Sequence, residues 1–402
     1  MKLNRRSFIA ASSAAAANLA SPAILKAQVN EYVIGASLPL TGPFATAGQL
    51  IAPVLTMFQA MVNASGGIAG TPIRITSEDS GYIPQNALAN YQRALATEGA
   101  NLVAYFGDST GFMKLVAPEL TGSNARFMTS TSFASELANP AQNPYQFLPG
   151  PSYEDQFDIL LQSIKDQGGS TVAFIYSNTE FGSDPIAHGR ERAEELGIKL
   201  VLEEVTKADG ADIPTHVTKL AQSGAEYAIL QGYVTGVWPQ LIGGSRQFGL
   251  PTKFMGTFWG MENFIADRVT AEAGPFLEGY QGVMPYRYFY DRDDAPRYDD
   301  YAAFMAANFV GTPLENYMPT WGIQALCGLE IMVRCLRDAA EAGKELTPDN
   351  LAEALHAIEN WDMGGFFGGP VSPASHKIGT GRVYQYSASE TKFSPISDWF
   401  NL

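Results

Sequence analysis

Short apolar runs alternate with longer stretches in which apolar residues recur every three or four positions, starting at residue 32. The runs have the length of buried strands, and the longer stretches have the period of amphipathic helices. Strands are predicted at 32–38, 72–78, 101–106 and 126–129, with helices at 46–62, 84–97 and 110–120. Pro84 suits the first turn of its helix, where a missing N–H is no loss. Pro140, Pro144, Pro149 and Pro151 then interrupt the alternation. It restarts with strands at 171–176, 198–205, 227–230 and 253–255. Helices are predicted between them at 184–196 and 212–222, then toward 248 and near 262. Two sets of about four βα units predict an α/β chain with two Rossmann-like lobes, each a parallel sheet flanked by helices.

The texture changes after Gly279: residues 280–285 are extended, and helical patterns follow at 295–308, 317–341 and 347–358. Thr347 and Pro348 form an N-cap followed by proline at the first helical position. The tail from 366 to 402 is rich in Gly, Ser, Pro and aromatics and reads as short strands and turns. These later helices have no sheet of their own, so this part of the chain must pack back on the earlier lobes. Lobes joined by several crossings can hinge around a ligand.

The first 28 residues carry Lys2, Arg5, Arg6 and Lys26 and no acid. Asn4-Arg5-Arg6-Ser7-Phe8-Ile9 resembles the twin-arginine export motif, and a mild Ala- and Ser-rich apolar run follows. Residues 1–28 are therefore expected to be a signal peptide and the mature protein to be soluble and exported to the periplasm. No later stretch reads as long and apolar enough to span a bilayer. The formal net charge of -15 disfavours nucleic acid as a partner. Cys327 and Cys335 lie in one helical pattern, about 12 Å apart along its axis, too far for a disulfide. Four scattered histidines have no metal-ligand spacing, and no cofactor is implied.

Ligands of open parallel sheets sit beyond the carboxyl ends of the strands. In the first lobe those positions hold Thr41, Gly42 and Phe44, then Ser109 and Thr110, then Thr129, Ser130, Thr131, Ser132 and Phe133. In the second they hold Phe181 and Gly182, Tyr233, and Phe258 and Trp259. Hydroxyls suit a carboxylate or another small anion, and aromatics cover an apolar or planar body. Gly107-Asp108-Ser109-Thr110-Gly111 fits such a cradle, and it also fits a hydrolase nucleophile elbow. A hydrolase needs a histidine later in the chain. His188, His216 and His356 fall on helical patterns, leaving His376 as the candidate base. Binding without catalysis is the preferred reading, with a serine esterase or amidase using Ser109 as the alternative.

The segment Ile34-Gly35-Ala36-Ser37-Leu38-Pro39-Leu40-Thr41-Gly42-Pro43-Phe44 resembles the opening strand and loop of the Leu/Ile/Val-binding proteins of ABC transporters. Asn63-Ala64-Ser65-Gly66-Gly67-Ile68-Ala69-Gly70 resembles their next signature, and Glu180-Phe181-Gly182 sits where they carry an aromatic–glycine pair. The resemblance covers nearly the whole mature chain. It implies a type I periplasmic binding protein, with two lobes, three crossovers and a ligand in the cleft. The lobes are then expected to be 29–150 plus 280–375, and 151–279 plus 376–402. The implied partners are a small carboxylate-bearing molecule and a membrane permease, with the receptor a monomer. A ligand sensor on the same fold is a third reading.

Carried over by position, the family's carboxylate-holding Ser falls on Ser109, and its next contacts fall within Thr131 to Phe133. The family's cleft Tyr is Phe181 here, and the segment holding its second-lobe Tyr matches Gly232-Tyr233-Val234. The acid that pairs with an amino-acid ammonium should follow Met255-Gly256, where this chain has Thr257-Phe258-Trp259. A buried ammonium without a carboxylate is costly. The departure points to a hydrophobic or aromatic acid, with a branched-chain or aromatic amino acid next. In that second case Glu180, Asp184 or Glu262 would supply the charge.

Overall fold

The computed structural model describes residues 30–402 apart from 293 and 313, so the expected signal peptide lies outside the described residues. The first sheet is built from β1 (Tyr32–Leu38), β2 (Ile73–Asp79), β3 (Leu102–Gly107) and β4 (Phe127–Ser130), in the order β2-β1-β3-β4. All its pairings are parallel. β3 and β4 are buried at every residue, as expected for strands covered on both faces. The covering helices are α1 (Ala45–Ala64), α2 (Pro84–Glu98) and α3 (Thr110–Val116). By length and composition α1 could cross a membrane, contrary to the sequence reading. It is instead a core helix, whose Ile51, Val54, Leu55, Met57 and Phe58 are buried.

The chain then crosses into α4 (Tyr153–Asp166), which the sequence reading missed. Its start carries a capping box: Ser152 Oγ accepts from the Asp155 amide, and the Asp155 carboxylate accepts from the Ser152 amide. The second sheet comprises β5 (Thr171–Ser177), β6 (Lys199–Thr206), β7 (Tyr227–Gln231), β8 (Lys253–Gly256), β9 (Gln281–Met284), β10 (Thr380–Ser387) and β11 (Lys392–Pro395), ordered β11-β10-β9-β8-β7-β5-β6. A two-residue strand, β12 (Phe400–Asn401), pairs with β10. β5 to β9 pair in parallel, and β10 adds antiparallel to β9. The helices between them are α5 (Glu180–Ser183), α6 (Ile186–Glu195), α7 (Ile213–Ser223), α8 (Val237–Gln247) and α9 (Asn263–Ala273).

β9 corrects the lobe boundary expected at residue 280. Its Met284 and Gln281 bridge Arg382 and Gln385 of β10, so the chain leaves the second sheet only after Met284. Beyond it come α10 (Pro296–Asn308), α11 (Thr320–Glu341) and α12 (Pro348–His356). α11 packs on α1 and β4 of the first lobe. It starts at Thr320, not at Tyr317, because the residue before a proline is steered out of helical conformation and Pro319 holds the N-cap. Cys327 and Cys335 are free, buried thiols.

The three crossovers lie side by side. Leu148 N donates to His376 O at 2.8 Å, and Ile378 N donates to Gly150 O at 3.3 Å. Tyr286 Oη donates to Pro149 O at 2.9 Å. Lys377 Nζ lies 2.7 Å from both carboxylate oxygens of Asp155.

Candidate ligand site

Residues that follow β1, β2, β3 and β4 meet residues that follow β5 and β8 around a cavity with about 350 Å³ of empty volume. It therefore lies beyond the carboxyl ends of parallel strands in both lobes, where open α/β sheets place ligands. Pro39, Phe44, Ala47, Ile51, Tyr82, Asp108, Ser109, Thr110 and Thr131 line it from the first lobe, Phe181 and Trp259 from the second, and Tyr153 at the start of α4.

The polar end is built on the turn between β3 and α3. Ser109 is the N-cap of α3: its Oγ accepts from Phe112 N at 3.2 Å and donates to Asp108 Oδ1 at 2.9 Å. Ser80 Oγ donates to the other oxygen of Asp108, and Thr131 Oγ1 donates to the Asp108 carbonyl. Burial pushes the Asp108 carboxyl up to about 6, against the downward pull of the hydrogen bonds from Ser80 and Ser109. No Lys or Arg lines the cavity among the described residues.

The aromatic end is made by rings from both lobes. Phe44 packs at a tilt on Tyr82 at 4.2 Å and meets Tyr233 at 5.4 Å and Phe181 at 6.1 Å across the cleft. Trp259 Nε1 donates to Tyr153 Oη at 3.1 Å. The loops that carry these rings are tightly fixed. The Asp79 carboxylate accepts from the amides of Leu40, Thr41 and Gly81 and from Thr41 Oγ1, tying the β1 loop to the β2 turn. Gly42 has φ +83°, and a Cβ there would lie 2.5 Å from Gly81 O. A Cβ on Gly182 would lie 2.2 Å from Ser177 O, so only glycine lets α5 set Phe181 against β5.

A polar cluster also spans the lobes. Lys114 Nζ on α3 lies 3.4 Å from Asp184 Oδ1, 3.4 Å from Glu180 and 3.5 Å from Glu136. The other Asp184 oxygen accepts from Ser135 N at 3.2 Å. Burial pushes Asp184 up to about 6 despite Lys114.

A model of the periplasmic binding protein family matches residues 31–391. The chain belongs to that family. It is 22% identical over 334 residues to the leucine-, isoleucine-, valine-, threonine- and alanine-binding protein of Pseudomonas aeruginosa, covering 79% of this chain and 80% of the relative. A branched-chain amino acid ABC transporter protein from Thermus thermophilus with bound valine superposes with a TM-score of 0.80 at 20% identity, covering 92% of this chain and 97% of that one. A solute-binding protein of an ABC transporter from Rhodopseudomonas palustris BisB5, in complex with 3,4-dihydroxybenzoic acid, gives 0.75 at 16% identity, covering 92% and 98%. The fold is that of the type I periplasmic binding proteins.

Of the residues picked out in the sequence, Phe44, Ser109, Thr110, Thr131, Phe181 and Trp259 line the cavity of this periplasmic binding protein. Ser132, Phe133, Tyr233 and Phe258 do not. Ser132 Oγ bonds Thr110 Oγ1 at 2.7 Å from behind. Phe133 and Phe258 are fully buried and pack edge to face at 5.5 Å. Tyr233 stands behind Phe44, its hydroxyl donating to Asn178 Oδ1 at 3.0 Å. Sequence reasoning missed Tyr82, Asp108 and Tyr153. The capping box at Ser152 was the available signal for Tyr153; Asp108 was in view only as a turn residue.

His376 Nδ1 donates to Gln146 O at 2.6 Å and its Nε2 lies 2.9 Å from His356 Nε2, so the Ser109–His376 pair required by the esterase reading does not form. The three proposed ammonium partners are also engaged elsewhere. Glu180 and Asp184 belong to the Lys114 cluster. Glu262 accepts from Tyr317 Oη at 2.6 Å, Trp321 N at 3.0 Å and Phe264 N at 3.2 Å. Tyr317 and Trp321 therefore touch Glu262 and not the first cavity.

Proposed function

We propose that this chain is the periplasmic receptor of an ABC importer, exported by its twin-arginine leader, and that it captures a small hydrophobic or aromatic carboxylic acid between its lobes. The closed form then docks on a membrane permease. The observation that carries the ligand class is the make-up of the cavity: hydroxyls of Ser109, Thr110 and Thr131 at one end and rings of Phe44, Phe181 and Trp259 around the rest. Pockets of this kind bind an apolar body and orient it by a few polar contacts.

Asp108 supplies the proton logic. A serine hydroxyl has one donor and two acceptor positions. Ser109 Oγ now donates to Asp108 and accepts from Phe112 N. Once Asp108 takes a proton it can donate to Ser109 Oγ, which frees the serine proton for the ligand carboxylate. An incoming anion raises the Asp108 pKa further above about 6. Carboxylate affinity is then expected to be highest below that value. It should fall by up to about tenfold per unit as pH rises through it, with proton uptake on binding. Calorimetry between about pH 5 and 8 in buffers of different ionisation enthalpy measures both. An amino acid whose ammonium pairs with ionised Asp108 gives the opposite slope, and Asp108 is the one observation that favours that second ligand class.

A thermal-shift screen over amino acids, aromatic acids, aliphatic acids and amides tests the proposal. A ligand at a hundred times its Kd adds about 2.7 kcal/mol to stability. Shifts with acids support the reading, and shifts confined to amino acids or amides overturn the ligand class.

A further inference from the structure

Behind Trp259 lies a second cavity with about 370 Å³ of empty volume. It sits past the carboxyl ends of β7 and β8, the same end of the second sheet that faces the first cavity. Trp259 lines both, so its indole is the partition between them. The second cavity is walled mainly by Trp238, Ile242, Ile265, Leu277 and Trp321. Two polar side chains also reach it, Glu262 and Tyr280.

These two differ in one respect. Glu262 has its oxygens occupied by Tyr317, Trp321 and Phe264. Tyr280 Oη is buried and has no hydrogen-bond partner among the described residues, while its residue is only 4% exposed. A buried hydroxyl without a partner is destabilising, and such groups ordinarily meet an acceptor or an ordered water. The hydroxyl itself fits only because two neighbours are glycines: a Cβ on Gly256 would lie 2.0 Å from it, and one on Gly260 2.3 Å.

We propose that the second cavity is a distal subsite of the ligand site, taking the far, apolar part of an elongated carboxylic acid whose end presents a hydrogen-bond acceptor to Tyr280 Oη. The inference rests on the carboxylate reading of the first cavity. The carboxylate stays at Ser109, the body passes Trp259 as the indole swings aside, and the remote hydroxyl or carbonyl meets Tyr280. The Trp259 indole donates to Tyr153 and meets the rings of Trp321 at 5.7 Å and Phe258 at 5.3 Å, while the Trp259 carbonyl accepts from Trp321 Nε1 at 3.2 Å.

The test is calorimetry with a series of ω-phenylalkanoates of increasing chain length and their para-hydroxy counterparts, on the full mature protein and on Tyr280→Phe. This variant removes only an atom that has no partner, so folding is retained. In the native protein, affinity should rise at least about tenfold once the ring can pass Trp259, and the para-hydroxyl should add a further gain of about fivefold on the long acids only. Tyr280→Phe should erase that hydroxyl gain. Binding of the short acids with no gain from length, or a hydroxyl gain that survives in Tyr280→Phe, overturns the subsite while leaving the first-cavity reading intact. No binding by any phenylalkanoate overturns both.

Discussion

Ser109→Ala is expected to weaken binding of a carboxylic acid about 10- to 100-fold, since a hydrogen bond to a charged group contributes about 1.5–3 kcal/mol and each 1.4 kcal/mol is tenfold. The same change removes the N-cap of α3, because Ser109 Oγ accepts the Phe112 amide. That loss costs about 1 kcal/mol of stability. The two effects separate in Ser109→Thr, which keeps both a cap and a hydroxyl and should recover most of each. Calorimetry reads the affinity and a urea melt reads the cap. The Asp108 carboxyl gives a further signature. Without the serine donor its Oδ1 loses a hydrogen bond, so the pH dependence of acid binding should move upward with the affinity loss.

Asp155→Ala is expected to lower global stability by about 2–4 kcal/mol. Breaking a buried ion pair costs about 3–5 kcal/mol, reduced here because the partner lysine is partly open to water. The Asp155 side chain is 11% exposed and that of Lys377 29%. Asp155 holds two crossovers at once. It accepts from the Ser152 amide at 2.8 Å at the start of α4, and it pairs with Lys377, on the chain's return into the second lobe. Losing it should loosen the hinge as well as the fold. Asp155→Asn retains an acceptor for the Ser152 amide and removes the charge, so it should lose only the ion-pair share. Urea denaturation of the two variants measures the split. Equal stabilities for native protein and Asp155→Ala would mean that the Lys377 contact contributes nothing to holding the crossovers.

The alternation of apolar runs and helical periods was enough to find the parallel strands β1 to β8 of the two sheets, because strands covered on two faces leave a continuous apolar signature. One element escaped it, and another was read as extended but assigned to the wrong lobe. α4 follows a run of prolines that hides its start, although Ser152 and Asp155 form a capping box that could have marked it. β9 has only four residues, and its place in the second sheet is fixed by pairing with β8 and β10, which local pattern cannot encode. In the site, Ser109, Phe44, Phe181 and Trp259 were legible because they follow strands directly. Tyr82 was not: it lies in a turn with φ +60°, a conformation unusual for a bulky residue, and reaches the cavity by packing on Phe44. Phe133 and Phe258 also follow strands closely, yet their rings turn toward each other and form the floor behind the cavity. Which face an aromatic after a strand takes depends on rings from the other lobe, and these are remote in sequence.

The central claim is that the cleft recognises a carboxylate and not an ammonium. Calorimetry at about pH 5 with 3-phenylpropanoate and phenylalanine, which differ only in the α-amino group, tests it most directly. The deaminated acid is expected to bind at least about tenfold more tightly, because Glu180, Asp184 and Glu262 are engaged elsewhere and Asp108, held up to about 6, is protonated at that pH. Tight binding of phenylalanine with no measurable binding of 3-phenylpropanoate would contradict it.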